Sequence, residues 1–212
     1  MKISDLLEIL DGIAPFKLQF TEGPGDNCGL VIGRKSAEVR RIMVCLDLTR
    51  KAIETARNEY IDLIITHHPP IWSPIRRINN DMFLDLMECG ISVISLHTNY
   101  DSARLNDLLA QRLGLVRTEG ILKCATPTGE DSFLGRIGIL DEDMTGEDMI
   151  QRVKEELGVE AVRIIGTVKD RIESVAVCQG SSGGYENDII ELDPDVFITG
   201  EVRYNAAVDL SN

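Results

Sequence analysis

Two short apolar runs rich in β-branched residues, residues 61–66 and 91–96, constrain this chain most. Each is too short for a stable helix and too apolar for a loop, so each reads as a buried strand. Between them, residues 81–89 carry a helical pattern that Gly90 is placed to end. The same alternation extends on both sides. Residues 4–13 form an amphipathic helix with Leu6, Leu7, Ile9, Leu10 and Ile13 on its apolar side. Residues 41–46 form a strand, Thr49 caps a helix reaching residue 60, and a further helix spans 104–113 before Gly114. Alternating helices and strands predict parallel βαβ units with both sheet faces covered.

Past Pro127 the pattern changes. Residues 133–140, 161–166, 174–179 and 195–199 read as strands. Thr145 opens a helix whose first turn carries Glu147 and Asp148, as the helix dipole favours, and Gly158 closes it. Residues 126–131 are the best boundary. The expected fold class is α/β, a two-lobed subunit with mainly parallel sheets flanked by helices: an N-terminal α/β lobe over residues 1–126 and a C-terminal α/β lobe over 127–212. The helix-like run at 203–210 would be followed by another strand in such an architecture, so the last unit reads as unfinished.

Composition narrows the function. The chain has 212 residues, enough for one or two packed cores. With 35 acidic and 22 basic residues its net charge is −13, which opposes binding to nucleic-acid backbones and to anionic membranes. Five cysteines with no C-x-x-C pair indicate neither a disulfide framework nor a zinc knuckle. No signal-like or membrane-length apolar segment is evident, so a reduced, cytoplasmic setting is expected.

Only three histidines occur, and all three follow predicted strands. His67 and His68 follow the first run and precede Pro69, which keeps His68 extended and ends the strand. His97 follows the second run, with Asp101 four residues on. The carboxyl edge of an α/β sheet is where ligands bind, and imidazole is the commonest metal-binding side chain. Adjacent extended residues point in opposite directions, so His67 and His68 suit two neighbouring metals, or one metal and one supporting role. Asp101 is the candidate carboxylate to bridge two cations, with a helix-capping role as its alternative. His97 is a ligand, an orienting group or a proton relay. Glu201, after the 195–199 strand, is a supporting group, a general base or a first-turn helix acid. Trp72 and Ile75 either wall a pocket or pack beneath their loop. The turn Gly180-Ser181-Ser182-Gly183-Gly184 could cradle phosphate or simply connect a strand to a helix.

The segments Thr66-His67-His68-Pro69-Pro70, His97-Thr98-Asn99-Tyr100-Asp101, Asp26-Asn27-Cys28-Gly29-Leu30, the Gly180–Gly184 turn and Thr199-Gly200-Glu201 occur in this order. Together they resemble the Nif-three-like family, also labelled GTP cyclohydrolase 1 type 2, over essentially the whole chain. The resemblance implies a two-lobed subunit of a toroidal homohexamer with a dinuclear metal centre in each subunit. It implies that His67, His68 and Asp101 are metal ligands, with His97 in or beside the site. The family pattern also has a later Gly-His-x-x-x-Glu segment. No histidine follows His97 here, and the missing segment coincides with the expected missing strand, so truncation is the expectation. The cofactors implied are two divalent ions per subunit, zinc, manganese or iron. The implied activity is metal-dependent hydrolysis of a nucleotide, with a non-catalytic metal-binding ring or metal chaperone as the alternative. No catalytic residue is assigned.

Overall fold

The computed structural model describes residues 1–21, 25–181 and 184–211. The chain divides into two compact units, one of residues 1–103 and 124–132, the other of 104–123 and 133–212. The chain thus passes between them three times, where the sequence suggested one boundary at 126/127.

The first unit is built on a four-stranded sheet ordered β1 (Gly29–Ile32), β4 (Ser92–Ser95), β3 (Leu63–Thr66), β2 (Ile42–Cys45). Strands β2, β3 and β4 are parallel, with Cys45, Thr66 and Ser95 aligned in register. Strand β1 runs antiparallel along β4, with Gly29 opposite Ser95. The helices α1 (Ile3–Ile13), α2 (Arg50–Asn58) and α3 (Asp81–Glu88) cover the sheet. Ile3, Leu6 and Leu10 of α1 pack with Leu63 and Ile94 on one face. Ile53 and Ala56 of α2 and Leu86 of α3 pack with Ile64 and Val93 on the other. Strand residues thus alternate between two cores, as a sheet buried on both faces requires. Thr49 caps α2 through Ala52 N–H, and Asn80 caps α3 through Met82 N–H. After β4 the chain turns into α4 (Thr98–Tyr100), one π-helical turn at Asp101–Leu105, and α5 (Asn106–Arg112). The expected helix over 104–113 therefore begins earlier and irregularly.

The second unit holds a sheet in the order β5 (Leu115–Cys124), β6 (Ser132–Met144), β7 (Ile172–Ser181), β8 (Val196–Glu201). Strands β6 and β7 are antiparallel, and β7 and β8 parallel. The expected α/β class holds, with two sheets flanked by helices; the first sheet is mainly parallel and the second is mixed. On one face Val175 and Val177 meet Ala110 of α5 and Met149 and Val153 of α6 (Gly146–Leu157). On the other, Ala176 and Cys178 meet Ile189 of α7 (Glu186–Leu192). The helix α8 (Tyr204–Leu210) follows β8. Gly158 ends α6 in the left-handed region at φ 64°, as its sequence position predicted.

Two strand assignments fail for physical reasons. Residues 161–166 join no ladder; Val162 packs against the core without a partner strand. Strand β5 escaped notice because it is irregular, with Arg117 and Leu122 at positive φ. A Cβ on its Gly120 would stand 2.5 Å from the Phe133 ring, so close approach requires glycine in mid-strand.

Asp195 is held by several donors in the second unit. The Lys169 ammonium, 2.8 Å away, and the N–H groups of Ser174 and Glu173 hold its carboxyl well below the usual range. A depressed folded pKa stabilises above the unfolded value and is lost as pH falls through the folded one. Asp195→Asn should therefore cost about 1–2 kcal/mol at pH 7. Denaturant melts should show the gap to the wild type closing as the solution is acidified below the ordinary carboxylate range. An equal gap at every pH would refute the assignment.

Candidate metal centre

The parallel register explains how the site assembles. Since Cys45, Thr66 and Ser95 stand side by side, the residues that follow each strand emerge at one rim. Those residues are Asp47 after β2, His67 and His68 after β3, and His97 after β4. Strand β1 runs the other way, so the residues before it, Asp26 among them, arrive at the same rim. The ladder continues past the strands: His67 N–H donates to Cys45 C=O, His68 N–H to Leu46 C=O, and Leu96 N–H to Thr66 C=O. The Ser95 hydroxyl donates to His67 C=O at 3.0 Å. The backbone under the histidines is therefore fixed by the sheet.

The three rings meet. Centroids are 5.0 Å apart for His67 and His68, 5.1 Å for His67 and His97, and 5.6 Å for His68 and His97. One ring nitrogen of each lies within 4.8 Å of the other two. Each ring also has an anchor on Nδ1: Leu96 C=O at 2.9 Å for His67, Asp47 at 2.7 Å for His68 and Asp26 at 3.0 Å for His97. Carbonyl and carboxylate oxygens only accept, so in these contacts Nδ1 carries the proton. A ring anchored in this way carries its lone pair on Nε2 when neutral. One nitrogen of each ring lies close to those of the other two, an arrangement that a cation among them would stabilise, and an anchored Nδ1–H is the usual partner of a metal-bound histidine. The residues fit a metal ion: the group of His67, His68 and His97 could hold one.

Electrostatics distinguish the rings. Burial pushes the His67 imidazole down to about 4, and the neighbouring charges of His97 and His68 add to this. It is thus neutral near pH 7. Burial also opposes charge on His97, but the hydrogen bond and negative charge of Asp26 outweigh it and raise its pKa. Asp26 itself is buried, which favours the neutral acid; hydrogen bonds from His97 and Thr98 reverse this and hold it well below the carboxylate range. It accepts from Thr98 N–H at 3.0 Å, Thr98 Oγ1 at 2.5 Å and Cys28 Sγ at 3.1 Å. Burial and the charge of Asp26 push the Cys28 thiol up to about 12. Cys28 is therefore a protonated donor to Asp26 at neutral pH, not a thiolate ligand.

Asp101 is buried, and its Oδ1 stands 3.5 Å from Nε2 of His67. Two ligands of one tetrahedral cation at ~2.1 Å are about 3.4 Å apart, so this spacing suits shared coordination. Asp101 opens the π-helical turn, a distortion frequent at functional sites. Buried Asn99 holds the turn by accepting from His97 N–H and donating to Ala14 C=O at 2.7 Å. Glu201 ends β8 in the second unit and is exposed. Of the Gly180–Gly184 turn, Ser182 and Gly183 lie outside the described residues, as do residues 22–24 and Asn212. The Trp72 ring stands 5.4 Å from that of His97, edge to face. Ile75 lines an open groove of about 640 Å³ with Ile32, Phe83 and Met87. Sequence reading missed Asp47 altogether, although it follows a strand as the histidines do. Asp26 was noted only within a motif.

Fold and site together define a mixed α/β protein carrying a histidine cluster at the carboxyl rim of its first sheet. The chain belongs to the DUF34/NIF3 (NGG1p interacting factor 3) family, which it matches over residues 1–212. A protein of Clostridium perfringens named GTP cyclohydrolase 1 type 2 homolog is 33% identical over 216 residues, 99% of this chain and 80% of that protein. The crystal structure of the Staphylococcus aureus hypothetical protein SA1388 superposes with a TM-score of 0.83 at 27% identity, over 99% of this chain and 82% of that one. A Bacillus cereus protein related to NIF3 gives 0.86 at 22% identity, over 99% and 85%, a likeness of fold. Among the described residues no helix is long and apolar enough to cross a membrane.

Proposed function

We propose that this protein is a metal-dependent hydrolase of nucleotides with a dinuclear centre. His67, His68, His97 and Asp101 would hold two divalent cations, zinc, manganese or iron. The observation that carries this reading is the convergence of three imidazoles, each anchored at Nδ1, with one ring nitrogen of each within 4.8 Å of the other two. The carboxylate of Asp101 beside His67 supports a second position, since a carboxylate can join two cations and a neutral imidazole cannot. Bound metal would supply an activated water at neutral pH and polarise a substrate oxygen or ring carbon. The chain's own residues orient: Asp26, Asp47 and Leu96 C=O set the ring planes, and Asn99 holds the turn that carries Asp101. The name of the Clostridium perfringens relative supports a guanine nucleotide as substrate.

Metal analysis of the purified chain, followed by assay of GTP ring opening with and without chelator, tests this. Two equivalents of divalent metal and chelator-sensitive turnover are expected. Metal without turnover on any nucleotide would favour a metal-binding scaffold or chaperone instead, and absence of metal would end both readings. Family resemblance further supports a homohexamer. Light scattering should then give six times the 23.5 kDa chain mass.

A further inference from the structure

Residues 69–80, between β3 and α3, hold the chain's only tryptophan and two adjacent arginines, and no acidic residue. In a chain of net charge −13 this is a local reversal of sign. Arg76 and Arg77 are exposed, and among the described residues neither makes an ion pair. Trp72 is 47% exposed although it stands against His97, so the indole is open to solvent at the edge of the histidine cluster. Its backbone is held in place: Asn27 Nδ2 donates to Ile71 C=O at 2.7 Å, and Asn27 N–H donates to Asp26. One short segment therefore orients His97 through Asp26 and positions Trp72 through Asn27. An open indole fixed beside a ligand site costs little ordering entropy when a planar ring stacks on it.

From this we infer that Trp72 is the stacking platform for the base of a nucleoside phosphate, with Arg76 and Arg77 receiving its phosphate. This deepens the metal-hydrolase reading and rests on it for the chemistry, since a base on Trp72 lies beside the residues that would hold metal. Base–aromatic stacking tolerates any base, because each has a π-face. Arginine suits phosphate through its planar fork of donors. Trp72 supplies grip and orientation; it does not enter the reaction.

The chain contains its own reporter, because all tryptophan emission comes from Trp72. The zinc-loaded full chain is titrated with GMP, guanosine and ribose 5-phosphate, followed by fluorescence and calorimetry. GMP should quench the emission saturably, guanosine more weakly, and ribose 5-phosphate not at all. Trp72→Ala should weaken GMP binding about tenfold or more, and Trp72→Phe should retain most of it. Replacing Arg76 and Arg77 together by Gln should erase the advantage of GMP over guanosine. Zinc content should stay the same in every variant, which separates a binding platform from a structural prop for His97. GMP binding unchanged in Trp72→Ala, zinc lost along with Trp72, or no quenching of the wild type would each overturn the inference. Zinc bound without any response to GMP would leave the metal reading standing and remove this one. A chain that takes no zinc yet is quenched by GMP would do the reverse.

Discussion

Asp26→Asn should lower affinity for zinc about 10- to 100-fold, the range seen when a group anchoring a metal-bound histidine is lost. The substitution is nearly isosteric, so packing is preserved and the hydrogen-bond pattern alone is broken. One carboxylate oxygen receives His97 Nδ1, Thr98 N–H, Thr98 Oγ1 and Cys28 Sγ, and the other receives Asn27 N–H. An amide can present an oxygen on one side only. Whichever way it turns, its NH2 group faces an N–H that needs an acceptor. A buried donor without an acceptor costs about 1–3 kcal/mol, so some stability is lost as well. The larger consequence is that His97 is no longer held with Nδ1 protonated and Nε2 toward its neighbours. Zinc competition against a chromophoric chelator, with a thermal melt of the same sample, measures both. Wild-type zinc affinity in a folded Asp26→Asn protein would show that the orientation of His97 does not depend on this carboxylate.

Asp101→Ala should remove both metal ions, because the carboxylate is the one group proposed to serve both. Its effect on the metal-free protein should be much smaller. A carboxylate buried to 3% exposure is costly to desolvate, and replacing it by a methyl group recovers part of that cost. The loaded protein should therefore melt at a lower temperature in the variant than in the wild type. The two metal-free proteins should differ far less. Asp101→Asn, which keeps the shape and loses the charge, should resemble Ala in metal content. Full occupancy by elemental analysis in Asp101→Ala would refute the bridging role, and an equal drop in the metal-free melt would make Asp101 a structural group.

The legible part of this protein followed from local periodicity. Residues 61–66 and 91–96 can satisfy their backbone and bury their side chains only as central strands, and they do so as β3 and β4. Thr49 and Gly158 announce a helix start and a helix stop through capping chemistry that acts over three or four residues. The histidines were legible because a polar imidazole directly after an apolar strand has few bland explanations. Strand β5 was not legible: two positive-φ residues and Gly120 erase the period-two pattern, and the need for Gly120 arises from Phe133, a residue distant in sequence. Residues 161–166 misled in the opposite way, since apolar alternation does not provide a partner edge.

The amino-acid order alone thus determined the helices and central strands of the first sheet, the mixed class of secondary structure and the imidazoles that end its strands. Each of these depends on interactions within a few residues along the chain. Which oxygens face those imidazoles was settled by three-dimensional packing. Asp26 reaches His97 across 71 residues and Asp47 reaches His68 across 21. Both contacts exist because β1 runs antiparallel, and β2 parallel, to their neighbours, so that the start of β1 and the end of β2 meet at one rim. Strand order and direction are properties of the whole sheet, set by how two cores share its faces, and no local window of sequence contains them.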